Sequence, residues 1–290
     1  MRDEQRIRPG TGFVEIADRV WVARFEFLDV NVGLVAGARG LLMVDTNVSE
    51  AVAADVLAEV RRLGVGDVVT VVNTHHHFDH CFGNVTLAEE YAPELVCHET
   101  AAEVMLARGR EVQRKAGEER PDIAATRIRV PETTFSSAKA IDLGDRAVEL
   151  VHPGRGHTGG DVVVRIADVD LVFAGDLVEE SAVRQGVPGF GDDSYPLEWP
   201  ATLDLLLGLL TATSTVVPGH GLPVDREFVS EQGAAIGVVA ETIRDLAARG
   251  VPVEDALDAA SWPYPKSELA AAVRRGYAQL PPSARRLPLA

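Results

Sequence analysis

The 290-residue sequence predicts an α/β fold of two similar halves, each a sheet with helices outside it. Three observations lead there. Apolar strand-like runs alternate with amphipathic helical stretches through most of the chain. Residues 31–47 read strand, turn, strand and deliver Asp45 at the end, and residues 161–177 repeat that plan and deliver Asp176. Histidines gather where strands give way to loops, most densely in Thr74-His75-His76-His77-Phe78-Asp79-His80.

Taken in order, residues 13–16 and 20–27 read as short strands. Residues 31–37 and 40–45 form a hairpin that turns at Ala38-Arg39-Gly40. Residues 49–63 form a helix: Ser49 suits an N-cap, apolar residues recur at Val52, Val56, Leu57 and Val60, and Gly64 supplies the stop. The strand over 67–73 runs into the histidine cluster. A short helix (86–91), a strand (94–97) and a longer helix (99–117) follow. Residues 118–134, charged and broken by Pro121 and Pro131, read as a lid-like insertion outside the core. Strand pattern resumes at 135–143 and 147–151, and 161–166 with 170–174 form the second hairpin. The irregular stretch 179–200 carries Phe190, Tyr195 and Trp199. Helices over 201–210 and 225–249, a strand over 214–217, and two short helices (253–260 and 266–278) complete the chain. The expected organisation is a principal domain over 1–222 with a helical extension, 223–290, packed on it.

The composition, 46% hydrophobic and 25% charged, is that of a globular protein able to bury a large core. A net charge of −16 repels nucleic acid and anionic membranes, so the expected partner is a small-molecule substrate, with neither nucleic acid nor membrane. Two cysteines, Cys81 and Cys97, do not make a disulfide framework. Residues 1–10 are charged and lack the apolar segment of a secretory signal, and the longest apolar stretch, 203–217, is too short for a bilayer. A cytoplasmic location is expected.

In extended backbone alternate residues share a face, so His75 and His77 converge on one point. A turn just after them directs Asp79 and His80 towards a second. This suits a metal centre with two ions. Three later stretches carry further donors: His152 to His157 in a glycine-rich loop, Ala174-Gly175-Asp176, and Pro218-Gly219-His220-Gly221. Glycine beside a ligand lets backbone approach closely and take up positive φ. Imidazole and carboxylate donors without thiolate suit Zn2+, and also iron or manganese.

In this order the motifs H-x-H-x-D-H, G-H-T, A-G-D and P-G-H-G resemble those of the metallo-β-lactamase superfamily, over residues 13–221. The resemblance implies a four-layer αββα sandwich. It implies that His75, His77 and His157 hold a first zinc ion, that Asp79, His80 and His220 hold a second, and that Asp176 bridges both. The chemistry implied is hydrolysis by a hydroxide held between the metals, with Asp79 as the catalytic carboxylate that orients it and passes its proton on. The common zinc β-lactamases carry cysteine where this chain has Asp176. A bridging aspartate is more similar to the glyoxalase II type and related hydrolases, which points to an ester, thioester, lactone or amide-like bond. Two other activities compete within the family: an iron-dependent redox enzyme such as a sulfur dioxygenase, and a metallo-nuclease or phosphodiesterase, which the −16 charge opposes.

The remaining polar residues have more modest expectations. Asp45 is placed to hydrogen-bond ligand histidines. His76 alternates out of phase with His75 and His77 and faces away from their point of convergence. His98 either packs or faces substrate, His152 supports the His157 loop, and Asp161 supports that loop or caps the next strand. Cys81 is packing. Phe190 and Tyr195 line a substrate pocket or pack beneath it. Arg274, Arg275, Arg285 and Arg286 form a solvated face. Substrate preference is assigned to residues 118–134 and 179–200.

Overall fold

The structure, a computed structural model, describes residues 7–281, the side chain of Arg184 excepted. Arg285 and Arg286 lie outside the described residues. Seven strands form the first sheet in chain order: β1 (Val14–Ala17), β2 (Val20–Arg24), β3 (Asn31–Gly37), β4 (Gly40–Val44), β5 (Val68–Val72), β6 (Glu94–His98) and β7 (Thr133–Phe135). The second contains β8 (Ala138–Asp142), β9 (Ala147–Val151), β10 (Val163–Ile166), β11 (Leu171–Glu179) and β12 (Thr215–His220), in the order β12-β11-β10-β9-β8. Pairing is antiparallel from β1 to β4 and parallel from β4 to β7. In the second sheet it is antiparallel from β8 to β11 and parallel between β11 and β12. Both halves therefore run an antiparallel meander into parallel pairing, the repeat that the two Asp-terminated hairpins foreshadow.

The sheets face each other across one apolar layer. Val22, Val35, Val44 and Val72 of the first meet Leu150, Val164, Phe173 and Val217 of the second. Gly33 has no side chain where the Phe173 ring enters; a Cβ there would stand 2.4 Å from it. Helices α1 (Glu50–Leu63) and α3 (Asn84–Tyr91) cover the outer face of the first sheet through Val56, Leu57 and Leu87. Helices α6 (Trp199–Leu209), α7 (Arg226–Ala248) and α8 (Lys266–Gln279) cover the second through Leu203, Leu206, Ile236, Ile243 and Val273. The result is a four-layer αββα sandwich. The start of α1 follows its sequence signals: the Ser49 hydroxyl accepts from the Val52 amide at 3.2 Å, and Gly64 closes the helix at φ 68°. None of the helices among the described residues is long and apolar enough to cross a membrane.

Three expectations need correction. Residues 118–134 are not held off the core. Their short helix α5 (Pro121–Ala125) buries Ile123 against α4 (Glu99–Ala116) and the region around Val48. The Ser49 hydroxyl donates to Asp122 at 2.8 Å, and Gln113 donates to the Ile123, Ala124 and Thr126 carbonyls. Charged residues are prominent in the composition of this stretch, but Ile123 is buried and Ile128 and Val130 pack against the same cluster. Residues 135–143 are not one strand: Phe135 ends β7 in one sheet and Ala138 begins β8 in the other. The crossing backbone is satisfied by His98, which donates to the Ser136 carbonyl at 2.9 Å, and by the His152 amide, which donates to the Ser137 carbonyl at 2.8 Å. Residues 253–260 are overlapping turns, not a helix. Only Ala256 there is fully buried, and Pro252 and Pro263 bracket the segment, so it has neither the length nor the apolar face that sustains a helix.

Candidate metal centre

Every expected ligand lies at one end of the sandwich, where strands β5, β11 and β12 deliver their last residues. His75 and His77 follow β5. Phe78 opens the one-turn helix α2 (Phe78–Cys81), which carries Asp79 and His80. His157 sits in the loop between β9 and β10, Asp176 within β11, and His220 at the end of β12. β11 does not stop before Asp176, as the sequence suggests, but continues to Glu179 with its register broken at Gly175, whose φ is 54°. That break turns Asp176 towards the histidines. Gly219 leaves the space it needs: a Cβ there would stand 1.8 Å from Asp176 Oδ1. Gly219→Ala is accordingly expected to displace Asp176 and lower metal affinity more than tenfold; unchanged metal content in a chelator competition would refute this.

The expected ligands form two groups, His75–His77–His157–Asp176 and Asp79–His80–His220, the donor atoms of each lying within 4.8 Å of one another; His76, His77 and Asp193 make a third such group that shares His77. Asp176 lies between them. Its Oδ2 is 3.3 Å from His157 Nε2 and 3.1 Å from His220 Nε2, and its Oδ1 is 3.2 Å from His80 Nε2. Asp79 Oδ2 is 3.5 Å from His220 Nε2 and 3.7 Å from His80 Nε2.

The far side of each ring decides what its near nitrogen can do. His80 Nδ1 meets the Asp45 carboxylate at 2.8 Å, His157 Nδ1 the Gly189 carbonyl at 2.8 Å, and His220 Nδ1 the Leu28 carbonyl at 2.7 Å. His77 Nε2 meets the Asp193 carboxylate at 3.0 Å. Thr74 Oγ1 donates to Asp45 at 2.7 Å, so it can only accept from His75 Nδ1, 3.1 Å away. All these outer partners accept hydrogen bonds, so in a neutral ring the proton sits outward and the inner nitrogen presents a lone pair. Inner nitrogens then face each other across 2.8 Å (His157 Nε2 and His77 Nδ1) and 3.3 Å (His80 Nε2 and His220 Nε2). Two converging lone pairs need a cation or a proton between them. His75 Nε2 and Asp176 Oδ1 are buried and make no hydrogen bond. The donor set fits metal ions at both groups.

Without metal, protons take up part of this charge. Burial opposes a charged His220, but Asp176 and Asp79 outweigh it and lift its pKa to about 9. Burial likewise opposes a charged His80, which Asp176, Asp79 and Asp45 hold well above the ordinary value. His75 moves the other way, pushed well down by burial and by its neighbour His80. A cation must displace the His220 proton, so apparent metal affinity is expected to rise with pH until about 9. Calorimetric titration in buffers of differing protonation enthalpy should show at least roughly one proton released per chain at pH 7; no release would contradict it.

The supporting residues extend beyond those the sequence singles out. Asp45, as expected, serves the histidines, and it also takes the Thr74 amide at 2.8 Å. His76 does turn out of phase, yet it reaches the same Asp193 oxygen as His77, at 2.9 Å. Asp193 was not foreseen: it sits beside Asp192 in a polar loop, and nothing local distinguishes the two, although Asp192 merely pairs with Arg274 at the surface. His98 caps α4 by accepting from the Thr100 amide, and its ring stacks on His152 at 4.1 Å. His152 in turn donates to the Asp161 carbonyl at 2.7 Å. Asp161 holds the His157 loop by accepting from the Thr158 amide and hydroxyl, and burial lifts its pKa to about 7. Cys81 packs, its thiol donating to the His76 and His77 carbonyls. Phe190 lines a cavity of about 170 Å3 beside His77 and His157. Tyr195 does not line it, and stacks under the Arg155 guanidinium at 4.4 Å. Arg275 is not simply solvated, for it donates to the Ser194 carbonyl at 3.0 Å. A larger cavity, about 430 Å3 between α7 and α8, is lined by none of the candidate ligands.

The Leu28 carbonyl that orients His220 is itself held under strain. Leu28 and Asp29 both have left-handed backbone, at φ 59° and 61°, which non-glycine residues avoid unless the surroundings compel it. The buried Asp29 carboxylate takes a two-pronged bond from Arg24 and a third, at 2.7 Å, from the Ser181 hydroxyl. Arg24→Gln is therefore expected to weaken metal binding by Asp79, His80 and His220 roughly 10- to 100-fold while sparing the other group. Stepwise titration against a chromogenic chelator checks this; equal loss at both groups would mean general damage.

Fold and donor set together define an αββα sandwich with candidate metal-binding histidine and aspartate groups at one end. The profile of the Metallo-beta-lactamase superfamily matches residues 26–220, and the chain belongs to that superfamily. Over 195 residues it is 27% identical to the metallo-beta-lactamase type 2 of Bacillus cereus, covering 67% of this chain and 68% of that protein. The metallo-beta-lactamase type 2 of Bacillus sp. (strain 170) matches to the same extent. Among solved structures, a metallo-beta-lactamase from Pontibacter korlensis superposes with a TM-score of 0.62 at 21% identity, covering 78% of this chain and 98% of that one. The DIM-1 metallo-beta-lactamase gives 0.63 at 16% identity, covering 78% and 96%. At these identities the structural likeness speaks for the fold alone.

Proposed function

We propose that this chain is a dinuclear zinc-dependent hydrolase that cleaves an ester, thioester, lactone or amide-like bond in a small molecule. The observation that carries this is the convergence of five imidazole lone pairs and two carboxylates, with every ring turned by an acceptor behind it. His75, His77 and His157 would hold one ion and Asp79, His80 and His220 the other, with Asp176 shared. Nitrogen and oxygen donors in this number suit zinc, with iron and manganese as competitors. Bound there, two divalent ions supply a nucleophile at neutral pH and Lewis acidity at the scissile carbonyl.

The chain's own residues do the rest. Asp79 is buried, which opposes its charge, but His80 and His220 hold its carboxyl below the usual range. It is thus an ionised acceptor at neutral pH, placed to take the proton of the attacking water and return it to the leaving group. Asp45 and Asp193 fix ring orientation, and the Gly189 carbonyl ties the 187–191 loop to His157. Asp176 stands where the common zinc β-lactamases have cysteine, which favours esters and thioesters over β-lactams as the preferred bond. The test is a hydrolysis screen of zinc-loaded protein over thioesters, lactones, β-lactams and phosphoesters, with Asp79→Ala as the blank. Metal analysis of protein purified without added metal accompanies it. Iron in place of zinc, together with oxygen consumption, would overturn the hydrolase reading in favour of redox chemistry.

A further inference from the structure

The cavity beside the metal centre contains an element that hydrolysis does not require. His77, His157, Val187, Pro188 and Phe190 are among the residues that line it. The remaining lining includes Glu268, from the first turn of α8, and it is the one acidic residue among those lining this space. Its carboxylate has no cationic partner among the described residues; its side-chain bond is with the Ser267 hydroxyl at 3.2 Å. The basic residues of the same helix are engaged elsewhere: Lys266 with Asp258, Arg274 with Asp192, and Arg275 with the Ser194 carbonyl. Phe190, backed by Trp199 at 5.2 Å and Tyr264 at 6.3 Å, adds an aromatic ring to the lining. A carboxylate and an aromatic ring around one small cavity are the two elements that recognise an alkylammonium ion, one by charge and the other by cation–π attraction.

We propose that Glu268 makes this cavity a subsite for a positively charged, ammonium-bearing group of the substrate. The inference rests on the hydrolase reading of the adjoining centre. A substrate spanning both would place its scissile carbonyl at the metals and its cation beside Glu268 and Phe190. A substrate with a carboxylate at that position would meet repulsion instead.

The test compares acetylthiocholine with its uncharged isostere, S-(3,3-dimethylbutyl) thioacetate, by kcat/KM on metal-loaded protein. Calorimetric binding of butyltrimethylammonium gives a readout that needs no turnover. Wild type is expected to prefer the cation about fivefold, Glu268→Gln to lose the preference, and Glu268→Lys to reverse it. Butyltrimethylammonium should bind about fivefold more weakly to Glu268→Gln. Glu268 is exposed at the start of its helix, so these variants are expected to fold; thermal melts verify it. Hydrolysis of both thioesters with no charge preference, or a preference that survives Glu268→Gln, overturns the subsite and leaves the hydrolase standing. If neither thioester is cleaved but ammonium binding still depends on Glu268, the subsite stands and these thioesters leave the candidate substrates, the hydrolase reading resting on the wider screen. Absence of Glu268-dependent binding, with neither thioester cleaved, overturns the subsite.

Discussion

Asp176→Ala is expected to disable both ligand groups at once. Among the described residues it is the only carboxylate that lies within 3.3 Å of inner nitrogens from both groups: His157 on one side, His80 and His220 on the other. Its removal leaves neutral or positively charged rings facing each other in a buried site, with Asp79 as the remaining carboxylate on their inner side and Asp45 and Asp193 behind them. Metal affinity should fall by more than the roughly 100-fold that losing an outer partner costs, and bound metal should drop from two ions to fewer than one per chain. The histidines should respond as well. With Asp79 left as the carboxylate opposing burial and the neighbouring His80, the His220 pKa should fall from about 9. Histidine titration by NMR in the metal-free variant measures this directly. Retention of two tightly held ions would show that Asp176 is not shared between the groups.

Asp79→Ala separates binding from chemistry. Asp79 belongs to the group with His80 and His220 and not to the His75–His77–His157–Asp176 set, which should still load its ion. Loss of an acid–base carboxylate typically costs roughly 10²- to 10⁴-fold in rate, and turnover should fall in that range even where added zinc restores the second ion. Steady-state kinetics with parallel metal analysis makes the measurement. Near wild-type turnover with intact metal content would remove Asp79 from the reaction.

The candidate ligands stand out in the sequence because much of their geometry is local. Alternation along extended backbone brings His75 and His77 together, with ring centroids 4.7 Å apart, and the turn into α2 sends Asp79 and His80 to the second group. The short motifs mark a loop for His157, a break within β11 for Asp176 and the end of β12 for His220, and these places meet at one end of the sandwich. The residues that escaped notice act over long separations. Asp193 reaches His76 and His77 from a loop more than a hundred positions away, and neither its type nor its neighbours set it apart from Asp192. Composition misled where charge hides a few buried residues, as with Ile123 in the 118–134 stretch. Periodicity misled at 253–260, where one buried alanine is too little to hold a helix.

The sequence by itself determined which histidines and aspartates were available as metal donors, and its resemblance to a family suggested how they would be grouped. Only the tertiary structure decided which nitrogen of His77, His80, His157 and His220 faces inward, whereas His75 leans on the adjacent Thr74. That choice belongs to the Leu28 and Gly189 carbonyls and the Asp45 and Asp193 carboxylates, whose partners are between 32 and 192 positions distant in the chain. The same folding placed Glu268 beside the cavity, by packing the C-terminal helix across the second sheet. Local spacing fixes which atoms are available; the direction of a lone pair and the charge beside a substrate depend on contacts that exist only once distant segments pack together.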